Sequence, residues 1–574
     1  MKGSTVVILV FFLVSVVLLY AQPVNTNLAK TGYFNENQNH DDVSVSVNAA
    51  HVTGEIEPVW NGIGGPLGLS LTPQGNRLLH QVSLASPYPF YKRCWGITES
   101  GMAVPYSSEA DYGATDIYRV DEKGHPFYGF TVFDQIMGNV ISMNFIPIML
   151  IGSMPDSLSA APLATEEGRE NIEKYPPKDY DQWYDLIFNI VNHSVLKYGK
   201  EKVSAWKWEV WNEPDIREYW RGTEEEYYKL YDYTAAAVKE ALPEAQVGGN
   251  SVTQSQTRGT SFLTGFIRHC MKGTNFKTGR VGAPLDFITF HLKGTNFAIG
   301  KIGSFNFGER PPEQQQFSPS LKFIMQCAGN NLKSIASIPG IAGIPVYVTE
   351  CDIDIGLVTS MYENPNVEYR NTAYFPAFQC AMTKELLDLS DRYPANPIKN
   401  FASDAFYFPG FRIFEGQRTL FTAGEIEKPI LNAYRLLGKL GTERLEFVTS
   451  GSDQINGLAS RKGDKIQVLV YNFSENVDNR ESINTEISVT LPDSRPYRLT
   501  HFRIDENHSN AYTIWKSLGR PLTPDQDQMD QIKSRQGLEL YEPARILTPA
   551  NNKIQIPLTL PHHSVSLLLF EPAD

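Results

Sequence analysis

Cysteine is scarce in this chain. There are five in 574 residues: Cys94, Cys270, Cys327, Cys351 and Cys380. An odd number so widely spread makes no disulfide framework, and at most two bridges could close. Zinc-type Cys/His spacing is missing, and so is a phosphate-binding glycine loop, so the sequence implies neither a metal nor a nucleotide cofactor. Positive charge is also short, with 51 Lys and Arg against 64 Asp and Glu and a net charge of -13. Nucleic-acid binding needs clustered cations to neutralise phosphates, so that class of partner is excluded. Long apolar runs are rare too. The run from Val6 to Leu19 falls short of the roughly 20 residues that span a bilayer. Lys2 precedes it and Tyr20-Ala21-Gln22-Pro23 follows, the pattern of a secretory signal cleaved after Ala21. No Cys follows that point, so no lipoprotein anchor is indicated and no stable membrane anchor is expected. The mature protein is expected to be secreted or periplasmic, or lysosomal in a eukaryote. Asn192, Asn472 and Asn507 begin glycosylation sequons, which matter only in a eukaryotic host.

What is present is an ordinary globular composition, 42% hydrophobic and 20% charged, with 12% aromatics. The length favours two domains. From about residue 58 to 441, short apolar strands alternate with helical stretches. The strand candidates are Val59 to Ile63, Phe90 to Gly96, Phe145 to Ile151, Trp206 to Glu213, Gln246 to Gly249, Leu285 to His291, Ile344 to Glu350 and Ala402 to Phe408. Thr223 with Glu226 forms a capping box ahead of a helix whose apolar face is Tyr227, Leu230, Tyr231 and Val238. Eight strands with intervening helices fit an α/β fold, a (β/α)8 TIM barrel. A doubly wound open sheet is the alternative, but it usually carries a nucleotide loop. After Gly441 the helical pattern gives way to short alternating strands with Gly463-Asp464 and Pro492-Asp493 turns, the pattern of a β-sandwich. The expected division is a signal at 1–21, an N-terminal segment at 22–57, a catalytic barrel at 58–441 and a sandwich at 442–574. The alternation from Ser44 to Val52 suggests one more sandwich strand from the N-terminal segment. Nothing in the pattern specifies an oligomer.

The chemistry concentrates at the end of the fourth strand, Trp206-Lys207-Trp208-Glu209-Val210-Trp211-Asn212-Glu213-Pro214. Period-two alternation places Trp206, Trp208 and Val210 outward and Glu209, Trp211 and Glu213 inward. Asn212 would then face outward unless the strand is locally distorted at its end. Pro214 cannot join a ladder and stops the strand after Glu213. Catalytic groups of barrels sit at such C-terminal strand tips. The seventh strand, Ile344 to Glu350, also ends in a carboxylate. Two carboxylates facing each other across a barrel mouth are the requirement for glycoside hydrolysis: one protonates the leaving oxygen while the other attacks or stabilises the oxocarbenium-like centre.

Trp211-Asn212-Glu213-Pro214 together with Thr349-Glu350 resembles the retaining barrel glycosidases, in particular glycoside hydrolase family 39, which holds β-xylosidases and α-L-iduronidases. The resemblance extends over nearly the whole mature chain, including Arg503 to Tyr512, Trp515 and Gly519-Arg520-Pro521. It implies Glu213 as acid/base, Glu350 as nucleophile, Asn212 as a donor to the sugar 2-hydroxyl and Arg93 as a cation beside the nucleophile. Gly273-Thr274-Asn275-Phe276, His291-Leu292-Lys293-Gly294 and Gln417-Arg418-Thr419-Leu420 with Asp404 look closer to the iduronidases. By that resemblance His291, Lys293, Asp404 and Arg418 contact the sugar, with Lys293 reading a uronate carboxylate. Two departures stand out. Trp95 occupies a position where the family pattern has His, which adds a stacking surface. Cys351-Asp352-Ile353-Asp354 follows Glu350 in place of the Trp-Asn common in xylosidases. The implied activity is an exo-acting retaining glycosidase on an acidic sugar such as α-L-iduronide within an oligosaccharide or polysaccharide. A β-xylosidase, or a carbohydrate-binding protein without activity, is the alternative.

Overall fold

The computed structural model describes residues 43–65, 67–101, 115–253, 258–294, 319–357, 359–362 and 364–573. The apolar run at Val6 to Leu19, its expected cleavage site and most of the segment 22–57 lie outside them. Among the described residues no helix is long and apolar enough to cross a membrane.

Eight parallel strands run in order round the barrel: Gly62–Ile63, Tyr91–Cys94, Ile146–Ile151, Lys207–Val210, Gln246–Val252, Phe287–Lys293, Val346–Asp352 and Ile398–Phe401. A parallel bridge from Ile63 to Ser403 closes the ring. Strands of this kind are covered on both faces and so tolerate few exposed positions. Every residue of Val346–Asp352 and of Phe287–Lys293 is buried, its charged residues included. The helix Glu224–Ala241 starts on the capping box: the Thr223 side chain accepts from the Glu226 N–H, and Glu226 answers with the Thr223 N–H. Its buried face includes Tyr227, Leu230, Tyr231 and Val238.

The eighth strand corrects the sequence reading. It is Ile398–Phe401, and the apolar run from Ala402 to Phe408 lies beyond it. The reason is where the backbone bonds go. Backbone pairing carries on only as far as Ser403, whose N–H donates to Gly62 O and whose carbonyl accepts from Gly64 N; at Asp404 the backbone N–H turns to the Asp352 carboxylate, at 3.1 Å.

Beyond the helix Pro429–Leu437, nine strands among the described residues form most of a second, mostly antiparallel sheet folded into a sandwich. Ser44–Glu55 joins it, antiparallel to Glu443–Ser450 and parallel to Ile483–Thr490. Strict alternation drives the layer. Lys553–Leu560 exposes every other residue and buries Ile554, Ile556, Leu558 and Leu560. These pack with Val45, Val47, Ile487 and Val489. Glu443–Ser450 and Ile455–Lys462 are the first strands of the sandwich after the barrel. Asn472 sits inside this sheet, fully buried, with its amide donating to the Glu481 and Leu560 carbonyls, so its sequon cannot carry a glycan in the folded protein.

Barrel and sandwich belong to one compact body, Asp42–Asp574. The Arg444 guanidinium joins Asp388 and Asp391, and Tyr374 Oη donates to the Glu475 carbonyl. All five cysteines are buried and unbridged.

Candidate active site

The fourth strand ends in a corner that only tight backbone anchoring can hold. Trp211 and Glu213 both take left-handed backbone angles, φ 68° and 45°, which are costly for side chains with a Cβ. Trp211 N donates to Ile151 O at 2.7 Å and Glu213 N to Ser251 O at 3.1 Å. The reversal at Trp211 breaks the period-two pattern and so corrects the sequence reading there. Trp211 packs edge-on against Trp220, 4.9 Å between rings, and its Nε1 donates to Tyr219 O. Asn212 turns inward in its place, with Oδ1 accepting from Arg93 Nη2 at 2.9 Å. The Asn212 Nδ2 is buried without a hydrogen-bond partner among the described residues.

Glu213 and Glu350 meet at this mouth. One carboxylate oxygen of each and a His291 ring nitrogen lie within 4.8 Å of one another. His291 Nδ1 is 2.8 Å from Glu213 Oε1 and 3.7 Å from Glu350 Oε2. The two acids have different surroundings. Glu350 is gripped by cations, its Oε1 by Arg93 Nη1 and its Oε2 by Lys293 Nζ, both at 2.7 Å. Among the described residues Glu213 has no lysine or arginine in contact and pairs with the histidine alone. Burial, and then the charge on Glu350, push its carboxyl well above the usual carboxylate range. His291 is kept neutral by burial and by Arg93 and Lys293 nearby, so it does not supply a competing positive charge. This separation of environments, one acid proton-holding and one ion-paired, is what general acid plus nucleophile requires.

Arg93 is fully buried and fans across four partners, Glu209, Glu350, Asn212 and Ser251. Its Nε donates to Glu209 Oε2 at 2.7 Å while the other nitrogens reach Glu350 and Asn212. Burial works against its charge, but Glu209 and Glu350 outweigh it and its pKa is raised. Trp95 is half-buried and lies against this guanidinium, 4.7 Å from Arg93 Cζ to the ring.

The remaining expected residues form a network on the Glu350 side. Lys293 Nζ bridges Glu350 and Asp352 and comes within 3.7 Å of Asp404. Arg418, almost fully buried, reaches Asp404 at 3.1 Å and Asp352 at 3.3 Å, and donates to the Asp354 carbonyl. Burial and the Glu350 charge raise the Asp404 pKa, with Lys293 and Arg418 opposing. The structure thus places Glu213, Glu350, Asn212, Arg93, Trp95, His291, Lys293, Asp404 and Arg418 around one mouth. The sequence reading missed Glu209, Ser251, Asp352 and Asp354 as site residues. Glu350, Asp352 and Asp354 stand two apart along one strand and its extension, a period-two signal that could have found the last two.

Among the described residues two groups of acids are close enough to hold a metal: Glu213, His291 and Glu350, and Glu350, Asp352 and Asp404. In both, the Lys293 ammonium or the Arg93 guanidinium already sits on the oxygens a metal would take. Like charges so close would repel a divalent ion.

Comparison with known proteins agrees with this geometry. Residues 110–537 match the family pattern of Glycosyl hydrolases family 39. A β-xylosidase from Geobacillus stearothermophilus is 26% identical over 467 residues, covering 79% of this chain and 83% of that one. Human α-L-iduronidase is 25% identical over 386 residues, covering 62% of this chain and 54% of that one. Among solved structures, a monomeric β-xylosidase from Caulobacter crescentus CB15 superposes with a TM-score of 0.72 at 20% identity, covering 92% of this chain and all of that one. A bacterial orthologue of human α-L-iduronidase gives 0.73 at 18% identity, covering 92% and 84%. These two likenesses speak for the fold. The family pattern spans most of the chain, and with it the chain belongs to glycosyl hydrolases family 39.

Proposed function

We propose that this glycoside hydrolase is a retaining exo-enzyme in which Glu350 attacks the anomeric carbon while Glu213 protonates the leaving oxygen. The observation that carries the reading is the close, unequal carboxylate pair: oxygens of Glu213 and Glu350 lie within 4.8 Å, with only Glu350 held by cations. Retaining enzymes separate the two carboxyls by about 5 to 5.5 Å, whereas inverting enzymes need roughly 6.5 to 9.5 Å to admit a water. Bond-making follows in two steps. The C1–Oε bond to Glu350 forms as the C1–O bond to the leaving group breaks and takes the Glu213 proton. Glu213, now a base, then deprotonates water, whose oxygen displaces Glu350 from C1. Asn212, whose buried Nδ2 has no hydrogen-bond partner among the described residues, is assigned as the donor to the 2-hydroxyl, and Trp95, half-buried against Arg93, as a stacking surface. The sequence pattern over residues 2–23 supports action outside the cytoplasm.

The sugar is proposed to be acidic, an α-L-iduronide or a related residue of a polysaccharide. A β-D-xyloside and an α-L-iduronide share their arrangement from C1 to C4 and differ at C5, where iduronate carries a carboxylate. Such a carboxylate needs a cation to offset Glu350 and its acidic neighbours. Lys293 and Arg418 supply two, side by side on Asp352 and Asp404. The β-xylosidase reading has its own support: both cations already have acidic partners, so neither is dedicated to a ligand. Lys293 also touches Glu350 directly, so Lys293→Ala is expected to slow every substrate. Arg418 pairs with Asp352, Asp354 and Asp404 rather than with Glu350 and is the discriminating residue. Arg418→Ala is expected to lower uronide kcat/KM relative to xyloside kcat/KM by about ten- to a hundredfold, the scale of one charge-assisted hydrogen bond. A panel of 4-methylumbelliferyl iduronide, xyloside and arabinoside reads this ratio. Equal losses, or a wild-type preference for xyloside, would leave the β-xylosidase reading standing.

The raised Glu213 pKa has a pH consequence. The acid must be protonated for the first step, so kcat/KM is expected to persist above the pH where an ordinary Glu ionises. It then falls as pH rises through the raised value. Because the Glu350 charge is the second cause of that shift, Glu213 should titrate at lower pH in Glu350→Gln than in wild type. Carboxyl ¹³C NMR on the two proteins checks both sign and cause.

A further inference from the structure

We propose that Glu209 is the resident counter-ion of Arg93, a positioning residue that keeps this cation neutralised while the charge on Glu350 disappears and returns during each turnover. The proposal rests on the reading of Glu350 as nucleophile. In the first step an electron pair of the Glu350 carboxylate becomes the C1–Oε bond, and the side chain changes from an anion to a neutral ester. The leaving group departs with the C1–O electron pair and the Glu213 proton. Arg93 donates to Glu350 Oε1 at 2.7 Å, so it loses an anionic partner at that moment. A buried cation without a partner is strongly unfavourable. Arg93 and Glu209 are both fully buried, so water cannot take over.

Glu209 is held in place through both of its oxygens. Its Oε2 accepts from Arg93 Nε at 2.7 Å. Its Oε1 accepts from Thr349 Oγ1 at 2.7 Å and from Ser251 Oγ. Those donors come from barrel strands five and seven, and Thr349 is the residue beside Glu350. Ser251 also meets Thr289 Oγ1 at 3.0 Å, which ties the anion to strand six. Four strands of the barrel therefore hold one carboxylate beneath the reacting pair. It lies on the fourth strand, four residues before Glu213 at the corner beyond that strand, and takes no part in either proton transfer.

Removing the charge has opposite effects on the two steps. In Glu209→Gln, Glu350 is the one carboxylate among the described residues still in contact with Arg93. The free carboxylate is then favoured over the ester, so the glycosyl-enzyme forms more slowly and breaks down faster. Loss of folded protein cannot mimic this, because it changes neither rate constant of the active fraction.

The test uses a 2-deoxy-2-fluoro glycosyl fluoride of the preferred sugar, which traps the ester. Time-dependent inactivation reads its formation, and recovery after removal of the reagent reads its breakdown. In Glu209→Gln the ratio of formation to breakdown rate constants is expected to fall by at least about tenfold, the low end for one charge-assisted hydrogen bond. Glu209→Asp, which keeps the charge, is expected to hold the wild-type ratio even if both rates drop. An unchanged ratio in Glu209→Gln, or an equal change in Glu209→Asp, would overturn the proposal. Peptide mass mapping of the trapped wild-type enzyme keeps the underlying reading separate: a label on a residue other than Glu350 sinks the nucleophile assignment itself. A crystal structure of that trapped wild-type form offers a check without variants. Arg93 should still hold Glu209 through Nε, and an Arg93 swung away from Glu209 would contradict the assignment.

Discussion

Glu350→Gln is expected to be inactive on every glycoside, whatever its leaving group, with kcat down roughly a millionfold, the scale seen when a nucleophile is removed from an organised site. The amide keeps the shape but lacks the negative charge that attacks C1. The surrounding structure should survive the change. Arg93 retains Glu209, and Lys293 retains Asp352, so neither cation is stranded. The loss should therefore appear at unchanged thermal stability within a few degrees. Turnover of 4-nitrophenyl glycosides across a range of phenols checks it. Residual activity that depended on the phenol would show that Glu350 is not the nucleophile.

The second large effect is of the opposite kind. Glu213→Ala is expected to cost about 10² to 10⁴-fold in kcat/KM on glycosides with poor leaving groups, the usual contribution of a general acid. On a 2,4-dinitrophenyl glycoside, whose leaving group departs without a proton, kcat/KM should stay near wild type. Turnover on that substrate should still fall, because Glu213 also serves as the base in the second step. Added azide needs no base and should restore it. Equal losses on good and poor leaving groups would contradict the acid/base role. The contrast between these two variants follows from the contrast between the two sites: cations on both oxygens of Glu350, and a neutral histidine and a raised pKa at Glu213.

Much of this was legible before the fold was known, and the failures have physical causes. The barrel strands announced themselves because parallel strands buried on both faces read as apolar runs, and two of those runs ended in glutamate. The eighth strand was misplaced because the run after Ala402 is apolar for another reason: it covers the core while Ser403 and Asp404 turn their donors to Asp352. Alternation put Glu209 and Glu213 inward as found, but it failed at Trp211 and Asn212. Two left-handed residues in three reset the period there, and no residue type marks such a reversal when neither is glycine. Arg93, Lys293 and Arg418 were suggested by resemblance, and their partners were not. Which acid neutralises which cation depends on four strands meeting beneath the mouth, and spacing along one chain does not carry that. Asp352 in particular looked like a departure from a pattern. In the structure it joins Lys293, Arg418, Ser403 and Asp404.

The central claim is that Glu213 and Glu350 act by double displacement, and the stereochemistry of the product tests it most directly. Proton NMR recorded within the first minutes of hydrolysis, before the released sugar mutarotates, shows which anomer the enzyme makes. Two displacements at C1 predict the configuration of the substrate. First-formed product of the opposite configuration would mean a single displacement by water, and the pairing of Glu213 with Glu350 proposed here would be wrong.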